Sequence, residues 1–175
     1  MIYFQKICER GLTMDKKQII DILEEDGKTT DATIASMLGA SEAEVKAERE
    51  ELENKRVILR YSALINSEAL GENGYTEALV ELKISPERDF GYDEIAGRVA
   101  KFPEVQDLFL MSGRYDLSVL VRATSMKAIS KFVWEKLAVM EGVVSTQTLF
   151  IMRKYKEYGE TLKSQDKSER LVVTP

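Results

Sequence analysis

Two apolar runs, Leu108 to Met111 and Leu117 to Val121, flank the five residues Ser112-Gly113-Arg114-Tyr115-Asp116. This pairing restricts the chain more than any other feature. Both runs are rich in strand formers and the interval is turn-like, so the segment predicts a hairpin within one antiparallel sheet. Gly113 supplies a backbone able to take positive φ and leaves space beside it. Asp116 is placed to fold its carboxylate back onto turn N–H groups. Two readings follow: a plain hairpin with a good turn, or a polar notch at a sheet end where a small ligand meets backbone N–H groups.

The flanking segments supply the rest of a domain. Thr76 to Ile84 alternates Ala78, Val80, Leu82 and Ile84 against Glu77, Glu81 and Lys83, and Ser85-Pro86 ends it, as a half-buried strand does. Tyr92 to Phe102 carries Ile95, Ala96, Val99 and Phe102 at helical spacing and stops at Pro103. Thr124 or Ser125 caps a helix through Ile129, Phe132, Val133, Leu137 and Met140, stopped by Gly142. Val143 to Tyr155 reads as a long last strand with Val144, Thr146, Thr148, Phe150 and Met152 on one face. The order strand-helix-strand-strand-helix-strand is the ferredoxin-like βαββαβ plan, a four-stranded antiparallel sheet with both helices on one face. The other face stays open and predicts a dimer built through this domain.

Ahead of it, three helical segments follow in quick succession. The first is expected from Asp15 to Asp26, with Ile19, Ile20, Ile22 and Leu23 on one side and Gly27 as its C′ residue. Thr29 or Thr30 caps a short second helix with Ile34, Ala35 and Leu38, ended by Gly39. Ser41 caps the third, Glu44 completes a capping box, and Val45 and Leu52 share a face. Helix, short helix, glycine turn and longer capped helix make a helix-turn-helix unit. Val57 to Tyr61 is strand-like, as a wing or a connecting strand would be. The chain is thus expected to be α+β: an N-terminal extension over 1–13, a winged helix-turn-helix over 14–61, a linker over 62–74, the ferredoxin-like domain over 75–158 and a polar tail over 159–175. The extension lacks the long apolar stretch of a signal peptide and either precedes the functional start at Met14 or packs as a short arm.

Composition excludes several chemistries. There is no histidine, which removes Ser-His-Asp and Cys-His nucleophiles, imidazole acid–base catalysis and imidazole metal ligation. One cysteine, Cys8, forms neither an internal disulfide nor a cysteine zinc site and fits a reducing cytoplasm. No apolar run approaches a membrane span. Enzyme activity, a cofactor and a metal are not expected.

Several short motifs recur in one order. They are Asp15…Ile19…Leu23 and Asp26-Gly27, Leu38-Gly39-Ala40-Ser41, Leu52-Glu53, Ile58…Tyr61…Ala63-Leu64…Asn66, Met111-Ser112-Gly113-Arg114-Tyr115-Asp116, and Gly142-Val143…Thr146-Gln147-Thr148. Over about Met14 to Tyr158 the chain resembles the Lrp/AsnC family, the feast/famine transcription regulators. The resemblance implies a cytoplasmic regulator that binds double-stranded DNA and assembles through its C-terminal domains into dimers and then tetramers or octamers. It also implies an amino-acid-like effector held between subunits at the Ser-Gly-x-Tyr-Asp turn. Met111, Ser112, Gly113, Tyr115 and Asp116 would form one wall of that site, with Thr146 and Thr148 candidates for the other. A zwitterion needs N–H donors for its carboxylate and an acceptor for its ammonium group. The turn supplies the first, and Asp116 supplies the second either directly or by bracing the turn. Some proteins with this two-part layout are tetrapyrrole decarboxylases that rely on histidine, which this chain lacks.

The third helix runs against the pattern. Its exposed face is usually basic in the family, yet Glu42 to Glu53 holds six glutamates against Lys46 and Arg49, and Asp15 to Tyr61 holds twelve carboxylates against eight cations. Arg49 stands where an apolar residue is usual, and it either extends to a phosphate or pairs with Glu48, Glu50 or Glu53. DNA contact is expected to rest on Ser41, Lys46, Arg49, Lys55, Arg56 and Arg60, helped by multivalency. The competing reading is a ligand-sensing or protein-binding module with weak or lost DNA binding.

Overall fold

Hydroxyl caps and two left-handed residues set the helix ends in the first third of the chain. The computed structural model describes residues 16–66, 74–85 and 91–162, in two units that divide between Leu64 and Ile65. Residues 1–15, including Asp15 and the whole expected extension, lie outside the described part.

In the first unit, α1 spans Lys16–Glu25, α2 Asp31–Leu38 and α3 Glu42–Asn54. The Thr30 hydroxyl accepts from the Thr33 N–H at 3.3 Å and starts α2. Gly39, at φ +67, ends it in the left-handed region. The capping box at α3 is complete: the Glu44 N–H donates to the Ser41 hydroxyl and the Ser41 N–H donates to the Glu44 carboxylate. Ile19, Ile34, Ala35, Val45 and Leu52 make the buried core.

Two expectations change here. Gly27 is not left-handed; the Asp26 carboxylate instead accepts the Lys28 N–H at 2.9 Å and shapes the turn itself. Residues 57–66 form no strand. After α3 the chain closes a Schellman turn, in which the Arg56 N–H donates to the Glu53 carbonyl and the Val57 N–H to the Leu52 carbonyl. Arg56 sits at φ +56 to make it. That reversal spends the strand-like residues on a turn.

The second unit contains β1 Thr76–Ile84, α4 Tyr92–Val99, β2 Val105–Leu110, β3 Leu117–Ala123, α5 Met126–Phe132 and β4 Val143–Phe150. The sheet order is β2-β3-β1-β4, with every pair antiparallel. Ala78, Val80, Leu82 and Ile84 of β1 and Leu117, Val119 and Val121 of β3 point to one face. There they pack with Ile95 and Val99 of α4 and Ile129 and Phe132 of α5. Phe102 meets Phe132 edge to face at 5.4 Å. Burial of this alternating set holds the sheet to its register, because a one-residue slip would exchange its faces.

α4 stops at Val99, short of the expected Phe102. α5 runs on into a single π-helical turn, Val133–Leu137, in which the Ala138 N–H donates to the Val133 carbonyl. Both Val133 and Leu137 are buried by it.

β4 is shorter than expected, ending at Phe150. Its pairing with β1 shifts between Lys83 and Ile84, so Val144 leaves the alternation and stands exposed. A second sheet of two short strands follows, β5 Lys156–Glu157 at the end of the expected domain and β6 Glu160–Thr161 at the start of the expected polar tail. Tyr158 and Gly159, at φ +45 and +87, form its tight turn.

Gly142 fixes the entry to β4. It lies at φ +87, and a Cβ there would sit 2.6 Å from the Cδ1 of fully buried Ile95. Gly142→Ala is therefore expected to cost about 2 kcal/mol, from the left-handed backbone and the displaced Ile95 together. Thermal unfolding followed by circular dichroism checks it; a melting temperature unchanged from the parent would show that the loop yields.

Candidate functional site

The turn between β2 and β3 is held from the neighbouring strand. The Asp116 N–H donates to the Leu82 carbonyl at 2.9 Å, and the Met111 N–H donates to the Asp116 carbonyl at 2.8 Å. The Asp116 carboxylate does not fold back onto its own turn. It accepts the Ile84 N–H at 2.8 Å and the Lys83 ammonium at 3.1 Å, both from the end of β1. The Ile84 hydrogen bond chiefly holds this carboxyl below the usual carboxylate range, partial burial opposes it, and Lys83 adds to it. The acid thus braces the turn.

Braced at that point, the turn is otherwise open. Met111, Ser112, Gly113 and Arg114 are exposed, and the Ser112 to Tyr115 N–H groups meet no acceptor among the described residues. Arg114 lies over the Tyr115 ring at 5.7 Å. Gly113 is not at positive φ, and a Cβ there would meet nothing within 4 Å. Its freedom of backbone is unused, and what glycine provides is space.

Thr146 and Thr148 lie on β4, the sheet edge two strands from β3, paired with Leu82 and Val80. They share the helix-covered face of the sheet, and both are half-buried. Leu117 pairs with Leu82, so Thr146 is in the first row beyond the turn but two strand spacings, about 10 Å, from it. Within one chain the two expected walls are therefore not in contact.

In the first unit the six expected DNA-contact residues divide. Ser41 is committed to the α3 cap. Arg49 pairs with neither a phosphate-like position nor chiefly with the glutamates of its own helix. It binds Asp31 of α2 at 2.9 Å, with Glu53 at 3.8 Å. Lys55 pairs with Glu51. Lys46, Arg56 and Arg60 are exposed and make no ion pair among the described residues.

The acidic excess is largely internal to the unit. Lys16 of α1 bridges Glu48 at 2.9 Å and Glu51 at 2.6 Å. Its partner Glu51 is pushed down to about 2 by Lys16 first and Lys55 second. Glu44 serves the cap, and Glu53 accepts the Tyr61 hydroxyl at 2.9 Å.

Residues 77–161 match the family model described as the Lrp/AsnC ligand binding domain. YugG of Bacillus subtilis, an uncharacterized HTH-type transcriptional regulator, is 42% identical over 94% of this chain and 99% of its own length. This chain belongs to the Lrp/AsnC family. It is an HTH-type transcriptional regulator of that kind. FL11 of Pyrococcus furiosus, also an HTH-type transcriptional regulator, is 30% identical over 86% of this chain and 97% of its own. Among solved structures, a transcriptional regulator from Neisseria meningitidis in complex with L-Met superposes with a TM-score of 0.64. It is 26% identical over 83% of this chain and 94% of its own.

Within this Lrp/AsnC domain a charged cluster at the opposite end of the sheet had no sequence signal of its own. Glu77, only 5% exposed, accepts from the Arg122 guanidinium at 2.7 and 2.9 Å and from the Lys154 ammonium at 2.6 Å. Lys154 also reaches Glu157 of β5 at 2.7 Å, and Arg122 stacks on Tyr75 at 4.2 Å. Burial pushes the Glu77 carboxyl up, but Lys154 and Arg122 more than offset it and leave it below its ordinary value. Glu77, Lys154 and Glu157 line a shallow open cavity of about 250 Å³ together with Met126, Met152 and Leu162. Register alone pairs Glu77 with Arg122; Lys154 lies beyond β4, where alternation no longer places it.

No helix among the described residues is long and apolar enough to cross a membrane.

Proposed function

We propose that this regulator binds double-stranded DNA through α3 and that an amino-acid-like effector, bound at the β2–β3 turn between copies of the second unit, changes its assembly and hence its DNA affinity. The observation that carries the effector site is the turn itself. Asp116 holds it from β1 while the Ser112 to Tyr115 N–H groups have no acceptor among the described residues, on a turn whose Ser112, Gly113 and Arg114 are exposed. Such groups suit a carboxylate. Exposed Leu110 and Met111 beside them suit an apolar side chain. The Neisseria meningitidis relative crystallised with L-Met supports an amino acid as the ligand class. Met111, Ser112, Gly113, Tyr115 and Asp116 form the first wall, and Thr146 and Thr148 of a second copy the other.

Assembly is proposed through the uncovered sheet face. Leu120, Leu79 and Leu149 lie side by side across it in one register row, with Phe109 half exposed in the next. That stripe makes an isologous dimer contact, from which tetramers or octamers build. The protein acts in the cytoplasm, without a catalytic step.

The test is binding to the DNA upstream of its own gene across a salt series, with and without a mixture of amino acids. Binding that falls with salt and shifts with the mixture is expected. No binding at low salt would overturn the DNA reading, and no shift with any amino acid would overturn the effector reading.

A further inference from the structure

α3 has two charge populations: one is engaged within the unit, and the other, Glu42, Lys46 and Glu50, is exposed and makes no ion pair among the described residues. At 100° per residue, buried Val45 and Leu52 define the inner side of the helix. Ala43, Lys46, Ala47 and Glu50 then fall on the outer side, and all four are exposed. Glu44, Glu48, Glu51, Glu53 and Arg49 are engaged within the unit, as are Lys16 and Lys55 opposite them. Lys46 and Glu50 are one turn apart on the outer side but form no ion pair with each other. This is the less favourable order for such a pair, with the cation N-terminal. Both are left to an external partner, and the two alanines between and before them let the helix backbone come close to it.

We propose that Lys46 and Glu50 read the two bases of neighbouring C·G pairs in the major groove, with Glu50 accepting from a cytosine N4 amino group and Lys46 donating to guanine O6 and N7. This rests on the DNA-binding reading above. A carboxylate in the groove is repelled by phosphates, so it tolerates only sequences that give it a donor. Cytosine N4 is the donor it accepts best, and lysine takes guanine. Helix turns about 5.4 Å apart span one to two base steps of about 3.4 Å. Ala43 and Ala47 contact thymine methyls or leave room for the base edges. Glu50 is thus a specificity residue that lowers affinity for unselected DNA.

Selection from a randomised duplex library, with the full-length protein and with Glu50→Ala, Glu50→Gln and Lys46→Ala, tests this. The parent is expected to enrich a motif with two neighbouring C·G pairs in each half-site. Glu50→Ala should lose preference at one of them by roughly tenfold or more while binding unselected DNA at least as tightly. Glu50→Gln should move the same position toward adenine, which a glutamine amide recognises. Lys46→Ala should relax the neighbouring guanine. An unchanged motif in Glu50→Ala would overturn the assignment and leave DNA binding standing. A parent that retains duplex but enriches no motif would overturn this inference alone, and one that retains no duplex at low salt would overturn the DNA reading with it. Circular dichroism confirms that these exposed variants fold.

Discussion

Glu77→Gln is expected to lower the melting temperature of the second unit by roughly 10–20 °C. Glu77 is almost wholly buried and holds two cations, Arg122 and Lys154, that are themselves largely covered. Removing the shared anion leaves two partly covered cations close together and mutually repelling, with the Glu157 carboxylate still beside Lys154. Breaking a buried pair from one side costs about 3 kcal/mol, which in a domain of this size is the stated shift. The pH dependence has a definite sign. The carboxyl lies below its ordinary value in the folded chain. Its contribution is therefore complete above the unfolded value, about 4.3, and is lost as pH falls through the lower folded one. The gap between parent and variant should be full at neutral pH and begin to narrow below about pH 4. Calorimetry at both pH values decides it; equal melting at pH 7 would show that the cluster contributes no net stability.

The second large effect concerns ligand response. Gly113→Trp is expected to abolish the effect of an amino-acid mixture on DNA binding, with a loss of at least tenfold in effector affinity. Folding should be intact. Gly113 needs no left-handed backbone, and its missing side chain faces open space, so the melting temperature should stay within about 2–4 °C of the parent, as for an ordinary surface change. The indole would fill the space above the exposed turn N–H groups. A variant that still responds fully would place the effector elsewhere; one that unfolds would show that the turn needs glycine for its backbone. Calorimetric titration, paired with the melting curve, separates these results.

What the sequence carried plainly was local. The hydroxyl caps at Thr30 and Ser41, the left-handed Gly39 and the alternation of β1 each depend on residues a few positions apart, and spacing reveals them. Arg49 was not legible in this way. Its partner Asp31 lies on another helix, so a residue that looked like a phosphate contact is a tie between α2 and α3. Asp116 was misplaced for the same reason: its partner Ile84 is 32 residues away and becomes a neighbour only through the β1–β3 pairing. The acidic character of α3 was visible as a sum, but the sum hid its division into carboxylates that hold Lys16, Lys55 and Tyr61 and those that face out. The β5–β6 hairpin escaped because two-residue strands have no period to detect. Thr146 and Thr148 stand on one side of β4, as alternation gives.

The π-helical turn at the end of α5 has a bearing on how the chain can change length. Such a turn holds one residue more than an α-helix would over the same path. Delete one residue from this turn and the hydrogen bonds revert to the ordinary spacing over the same path, so buried Met140 and left-handed Gly142 keep their places. Exposed Trp134, Glu135 and Lys136 are where such a loss is absorbed. The same deletion in the regular part of α5 would rotate the residues after it by about 100° about the axis and turn buried side chains toward water. An in-frame loss of one codon in this short stretch should therefore harm the domain less than the same loss earlier in α5.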